Sequence, residues 1–146
     1  MMANILVVYY SKSGNTRKMA ELVAEGAGRG GQHHVQLVPV QNLQSIDFLD
    51  AEGFAFGSPD YFTYVSGHLK VLFDEALASK SLLKDKPFVG FVSHGGGGGA
   101  IKSLETLAQA VGLRKVAEGV KCKGAPAGPD ALACTRLGEA LAKSLS

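Results

Sequence analysis

Tyr10-Ser11-Lys12-Ser13-Gly14-Asn15-Thr16-Arg17 gathers hydroxyls, an amide, a glycine and cations between an apolar run, Ile5 to Tyr9, and a helical pattern. A strand that ends in such a turn and restarts as a helix brings orphan N–H groups, hydroxyl donors and a positive helix end to one point, which is the chemistry of a phosphate cradle. Ser11, Ser13 and Thr16 supply hydroxyls, Gly14 permits close backbone approach, and Asn15 can cap the helix and donate its amide. Lys12 either balances a dianion or stands solvated. The Walker pattern is absent, and no aspartate ends the first strand to hold magnesium. Neutral donors suit a bound monoester better than a phosphoryl group in transfer.

Two further loops carry unusual chemistry. Ser58-Pro59-Asp60-Tyr61-Phe62-Thr63-Tyr64 places three aromatic rings within four residues. Packing under the loop is one reading and stacking against a flat ligand is the other. Ser93-His94-Gly95-Gly96-Gly97 lets backbone come close to a partner, because side chains are largely missing there. His94 is either a proton donor at that partner's edge, and then the one catalytic candidate, or an ordinary loop histidine. His33, His34 and His68 read as surface residues, and Tyr9 and Tyr10 as packing at the end of the first strand.

Apolar runs alternating with helical patterns position these loops. Ile5 to Tyr10, Gly53 to Gly57 and Phe88 to Ser93 read as central strands covered on both faces. His34 to Val38 and Lys115 to Cys122 read as edges. Helices are expected from Thr16 to Gly26, Gly67 to Ala78, Ala100 to Val111 and Pro129 to Lys143, with a short crossover from Gln41 to Leu49. The glycines from Gly26 to Gly31 follow a helix and not a strand, so they read as its flexible stop and not as a dinucleotide motif. The pattern predicts an α/β fold, a doubly wound five-stranded parallel sheet ordered 2-1-3-4-5, flavodoxin-like in topology, over one domain spanning residues 1–146. Ligands of such sheets bind at the carboxyl ends of strands 1 and 3, where the phosphate turn and the aromatic loop begin.

Composition sets the outer limits. A formal charge of +2 spread over 146 residues, without a run of like charges, argues against nucleic acid and leaves only a mild preference in partners. Cys122 and Cys134 form neither a C-x-x-C pair nor a zinc set and read as reduced thiols, so a cytoplasmic location is expected. No stretch reaches the roughly 18 apolar residues of a membrane span, so no membrane insertion and no metal are expected.

The strand-Ser-x-Ser-Gly-Asn-Thr-helix signature, Gly57-Ser58-Pro59-x-Tyr61-Phe62 followed by Ser66-Gly67-x-Leu69-Lys70, and the glycine loop together resemble the FMN-binding flavodoxin-like family, near its WrbA-type quinone reductases. The resemblance implies FMN, with its phosphate on Ser11 to Thr16 and its ring between the Pro59–Tyr64 and Ser93–Gly97 loops. It also implies NAD(P)H and a quinone, or a redox protein partner, and leaves a homo-oligomer open. Asp60 stands where the family commonly has Thr, and Thr63 where it commonly has Gly. A β-branched Thr63 is expected to resist positive φ and the peptide flip a glycine allows there. The WrbA-type insertions after strands 3 and 4 are missing. Carriers of the family resemble strongly acidic proteins, so the weakly basic balance favours the reductase branch over the carrier.

Overall fold

The computed structural model describes residues 2–146. In chain order it runs β1 Asn4–Tyr9, α1 Asn15–Arg29, β2 His34–Pro39, α2 Ser45–Asp50, β3 Gly53–Pro59, α3 Gly67–Ala76, α4 Lys80–Leu83, β4 Pro87–His94, α5 Ala100–Ala110, β5 Arg114–Lys115, β6 Val120–Lys123 and α6 Pro129–Lys143. All sheet pairs are parallel, in the order β2-β1-β3-β4, with β5 and β6 both on the outer side of β4. The expected topology is present.

Alternation along the buried strands feeds two cores. Leu6, Val8, Phe54, Phe56, Phe88 and Val92 point to one face, under α2, α3 and α5, while Ile5, Val7, Ala55, Val89 and Phe91 point to the other, under α1 and α6. On the first face the Phe54 and Phe56 rings stack at 5.7 Å and Phe73 meets Phe56 edge-on at 5.0 Å. Truncating one of these rings to alanine costs about 3–5 kcal/mol.

Two expectations change for stated physical reasons. The fifth strand is two pieces: Pro87 pairs with Arg114 and Phe91 with Val120, so four steps along β4 meet six along its neighbour and the surplus residues bulge out. Gly119 lies in that bulge against Ile101, where a Cβ would sit 2.6 Å from its Cδ1. The second change is in α1, which passes through Gly26 and Gly28 and ends at Arg29. A methyl on Gly26 would stand 1.8 Å from the Thr135 carbonyl oxygen, and one on Gly138 1.9 Å from that of Val23. Gly26 and Gly138 are the crossing point of α1 and α6, and the expected stop comes later in the same glycine stretch, at Gly30, whose N–H bonds the Gly26 carbonyl.

Smaller differences follow. The crossover after β2 contains α2, and the helix expected from Gly67 to Ala78 ends at Ala76, with α4 following a short 3-10 turn. His33 is half-buried and not a surface residue, its Nδ1 accepting the Ala3 N–H at 3.0 Å and its Nε2 lying 3.1 Å from the Ala142 carbonyl. No helix among the described residues is long and apolar enough to cross a membrane.

Candidate functional site

The loops after β1, β3 and β4 and the end of β6 meet at one edge of the sheet. Backbone bonds continue the ladders past the strand ends: Tyr10 N–H to the Gly57 carbonyl at 3.1 Å, Asp60 N–H to that of Ser93 at 2.9 Å, and Gly124 N–H to that of His94 at 3.0 Å. The loops therefore leave the sheet in register. Between them is a cleft of about 360 Å³ lined by Ser13, Asn15, Pro59, Asp60, Ser93, His94, Gly95, Lys123 and Gly124.

The phosphate turn is built as a donor set. Gly14 takes φ 99° and is the N-cap of α1, so Asn15 is the first helical residue and not the cap, and no side chain caps the helix at that position. Ser11 does part of that work, its Oγ accepting the Gly14 N–H at 3.1 Å and the Arg17 N–H at 3.2 Å. The Asn15 and Thr16 N–H groups have no acceptor among the hydrogen bonds of the described residues, and no acid sits in the first turn. Uncapped donors at the positive end of a 15-residue helix suit an anion. Thr16 is buried, and its hydroxyl lies 2.7 Å from that of Ser93. One proton of that pair joins the two oxygens, and the other remains for an acceptor.

Some expected residues serve elsewhere. Ser58 is fully buried, donates to the Pro59 carbonyl at 2.7 Å and accepts the Ser66 N–H at 2.9 Å, so it braces the aromatic loop from beneath. Lys12 lies outside the cleft, in a shallow depression with Tyr10, Tyr61 and His68. Lys123 is the lysine inside it, with Gly124 beside it. Sequence reasoning missed both; their signal was position after a strand that the topology places next to β4. His68 is exposed, as expected, yet stacks on Tyr10 at 4.2 Å with the rings 9° apart.

The aromatic loop closes as a tight turn. Tyr61 and Tyr64 exchange backbone bonds of 3.0 and 3.1 Å, and the residues between them, Phe62 and Thr63, take φ 58° and 64°. Thr63 therefore adopts the positive φ its branching was expected to resist. The Asp60 carboxylate overrides the preference, accepting the Thr63 N–H at 2.7 Å. Phe62 projects fully exposed from the tip and Tyr64 is partly exposed. Tyr61 is held protonated, burial and the neighbouring Tyr10 raising its phenol above the ordinary value.

In the glycine loop, His94 Nδ1 accepts the Gly97 N–H at 3.0 Å, which leaves the proton of the neutral ring on Nε2. A Cβ at Gly95, Gly96 or Gly97 would meet nothing within 4 Å, so this loop borders open space. No group of three or more metal-binding side chains is present among the described residues. A separate apolar hollow of about 330 Å³ lies between α2 and α3, but it contains none of the phosphate-turn donors.

Known proteins share this fold. The flavodoxin family profile matches residues 7–138. A flavodoxin of Aquifex aeolicus is 41% identical over 99 residues, which are 67% of this chain and 54% of that protein. An NAD(P)H dehydrogenase (quinone) of Chelativorans sp. is 31% identical over 137 positions, covering 77% of this chain and 69% of that protein. The chain thus spans about half of the flavodoxin relative, and the dehydrogenase alignment takes in more positions than this chain supplies. Among solved structures, a flavodoxin from the domain Archaea superposes with a TM-score of 0.90 at 26% identity, over 97% of this chain and 98% of that one. The chain belongs to the flavodoxin family of FMN-binding redox proteins.

Proposed function

We propose that this protein holds one FMN in the cleft and works as an electron carrier, exchanging electrons with a protein partner at the exposed ring edge. The observation that carries the reading is the Tyr61–Tyr64 turn beside the cleft: rigid by its own hydrogen bonds, yet presenting Phe62 wholly to solvent. A ring so exposed, on a loop that does not fold back over the cleft, is suited to contact with another protein.

FMN, when bound, supplies the one- and two-electron chemistry. The chain's residues hold and orient it. The N–H groups of Asn15 and Thr16, with the Ser13 hydroxyl, hold the phosphate, and Lys123 adds a positive charge inside the cleft. The loops Pro59–Tyr64 and Ser93–Gly97 would flank the ring, through Pro59 and Asp60 on one side and Ser93, His94 and Gly95 on the other, and the His94 Nε2–H would donate at its edge. Asp60 fixes the turn through the Thr63 N–H.

A second reading, reduction of a quinone by NAD(P)H, is favoured by the Chelativorans relative and by the chain's basic balance. The test has two stages. Flavin absorbance should stay with the purified protein through desalting; a colourless protein that ignores added FMN sinks both readings. Rapid NAD(P)H oxidation with a quinone acceptor supports the reductase and overturns the carrier, whereas negligible turnover supports the carrier.

A further inference from the structure

The lysines form no run in the sequence, though most fall in its second half, and the fold gathers several at the edge that bears the cleft. Lys123 lines the cleft, and Lys121 runs beside it, its Cδ 3.0 Å from where a Cβ on Gly98 would lie. Lys12 shares a depression with Tyr61 and Lys102 shares one with Thr63 and Tyr64, so the two border the aromatic turn from different sides. All four are exposed, and none takes part in an ion pair among the described residues. The acids nearby form no ion pair with these lysines and are turned to neutral donors, Asp60 accepting the Thr63 N–H and Asp130 accepting from the Cys122 thiol at 3.5 Å, so four cations face two carboxylates here. Other lysines carry partners elsewhere, Lys115 with Glu105 and Glu118, and Lys70 with Asp74.

An exposed aromatic ring among unpaired cations has the composition of a protein-docking surface, an apolar anchor inside a charged rim. A dinucleotide would need the cations but not Phe62 at the tip. We propose that the surface formed by Phe62, Tyr64, Lys12, Lys102, Lys121 and Lys123 docks an acidic redox protein. The proposal rests on the carrier reading: charge complementarity steers the partner's acidic face onto the rim, and Phe62 seats against it near the ring edge.

Two haem proteins of opposite charge serve as probes: acidic cytochrome b5 and basic cytochrome c. The FMN-loaded protein is reduced with dithionite, the excess is removed, and haem reduction is followed by stopped flow as salt rises. In each transfer one electron leaves the reduced flavin and the haem Fe(III) becomes Fe(II). With cytochrome b5 the second-order rate should fall at least about fivefold from low to physiological ionic strength, as screening removes the attraction. With cytochrome c it should stay level or rise. Lys102→Glu with Lys121→Glu, both outside the residues proposed to hold FMN, should retain the flavin, lower the b5 rate about tenfold at low salt and raise that with cytochrome c. Phe62→Ser should lower the b5 rate while leaving its salt slope unchanged.

A b5 rate indifferent to salt, or a cytochrome c rate that falls with salt, overturns the proposal. So does a salt-dependent NADPH reaction when the b5 reaction shows none, since the rim would then serve a dinucleotide. Failure to retain FMN is a different outcome, because it removes the carrier reading before any rate is measured.

Discussion

The turn after β1 and the turn after β3 stand at the same edge of the sheet and treat their backbones in opposite ways. Ser11 to Thr16 leaves donors unmet: Ser11 Oγ takes the Gly14 and Arg17 N–H groups, but those of Asn15 and Thr16 have no acceptor among the described residues, with Gly14 at φ 99° beside them. Asp60 to Tyr64 satisfies itself. Four of its five N–H groups, all but that of the exposed Phe62 at the tip, bond within the loop or to Ser93, and it keeps two non-glycine residues at positive φ to do so. Unmet donors make a binding site. A self-satisfied turn has no affinity left for an anion, but it holds side chains in fixed positions for whatever approaches from outside.

The strongest way to break this comparison is at Gly14. Valine there is opposed by the backbone torsion and not by crowding, because a Cβ would meet nothing within 4 Å. The turn must change shape to relieve it, while the cores beneath are untouched. Gly14→Val is expected to weaken FMN binding at least about 100-fold, close to 2.7 kcal/mol, by flavin fluorescence titration, with an unchanged far-ultraviolet circular dichroism spectrum. Undiminished affinity would mean the phosphate sits elsewhere.

The support the cleft shares breaks in a different way, through an alkaline effect that grows with pH. β6 carries Lys123 into the cleft, and behind it Cys122 and Cys134 are buried, their thiols pushed up to about 11 and about 12, chiefly by burial. Asp130 adds to the first shift; the other thiol and Asp130 add to the second. Values raised above the ordinary 9.0 mean that the folded state keeps protons the unfolded chain has released. This stability is whole below pH 9 and is lost as pH climbs toward 11 and 12, by roughly 1.4 kcal/mol per pH unit for each thiol. Urea midpoints should fall across that window, and Cys122→Ala with Cys134→Ala should flatten the fall. An equally steep decline in the double variant would place the alkaline weakness outside this pair.

What could be read from the chain follows the same division. The phosphate turn was legible because its donors, its glycine and its helix start are neighbours in sequence, and the strand order followed from which runs were apolar throughout. The α1–α6 crossing was not, because Gly26 owes its identity to the Thr135 backbone more than a hundred residues away. Lys123 was passed over for a similar reason, since only the pairing of His94 with Lys123 brings it to the cleft. Thr63 misled in the other direction: its torsional preference was correctly judged, but a carboxylate three residues back outweighs it.

Asp60→Ala tests that last point and is expected to be milder than the two above. Removing the acceptor forfeits about 1–2 kcal/mol of a charge-assisted bond, felt locally. Amide exchange at Thr63 should accelerate about tenfold, whereas exchange along β3 and β4 should not change. If exchange at Thr63 stays slow, the Tyr61–Tyr64 backbone bonds hold the turn without the carboxylate.

Thr63→Gly should have the smallest effect, because two terms oppose each other. A non-glycine residue at positive φ costs roughly 1–2 kcal/mol, which glycine recovers. Glycine also gives the unfolded chain more freedom, a loss of about 0.5–1 kcal/mol on folding. The net expectation is a gain within about 1 kcal/mol in urea denaturation. Thr63 also packs against Gly99, where a Cβ would come within 3.3 Å of its own Cβ. A clear destabilisation on Thr63→Gly would therefore show that this contact, more than the torsion, decides which residue the turn accepts, and that the aromatic turn is held from the glycine loop as well as by Asp60.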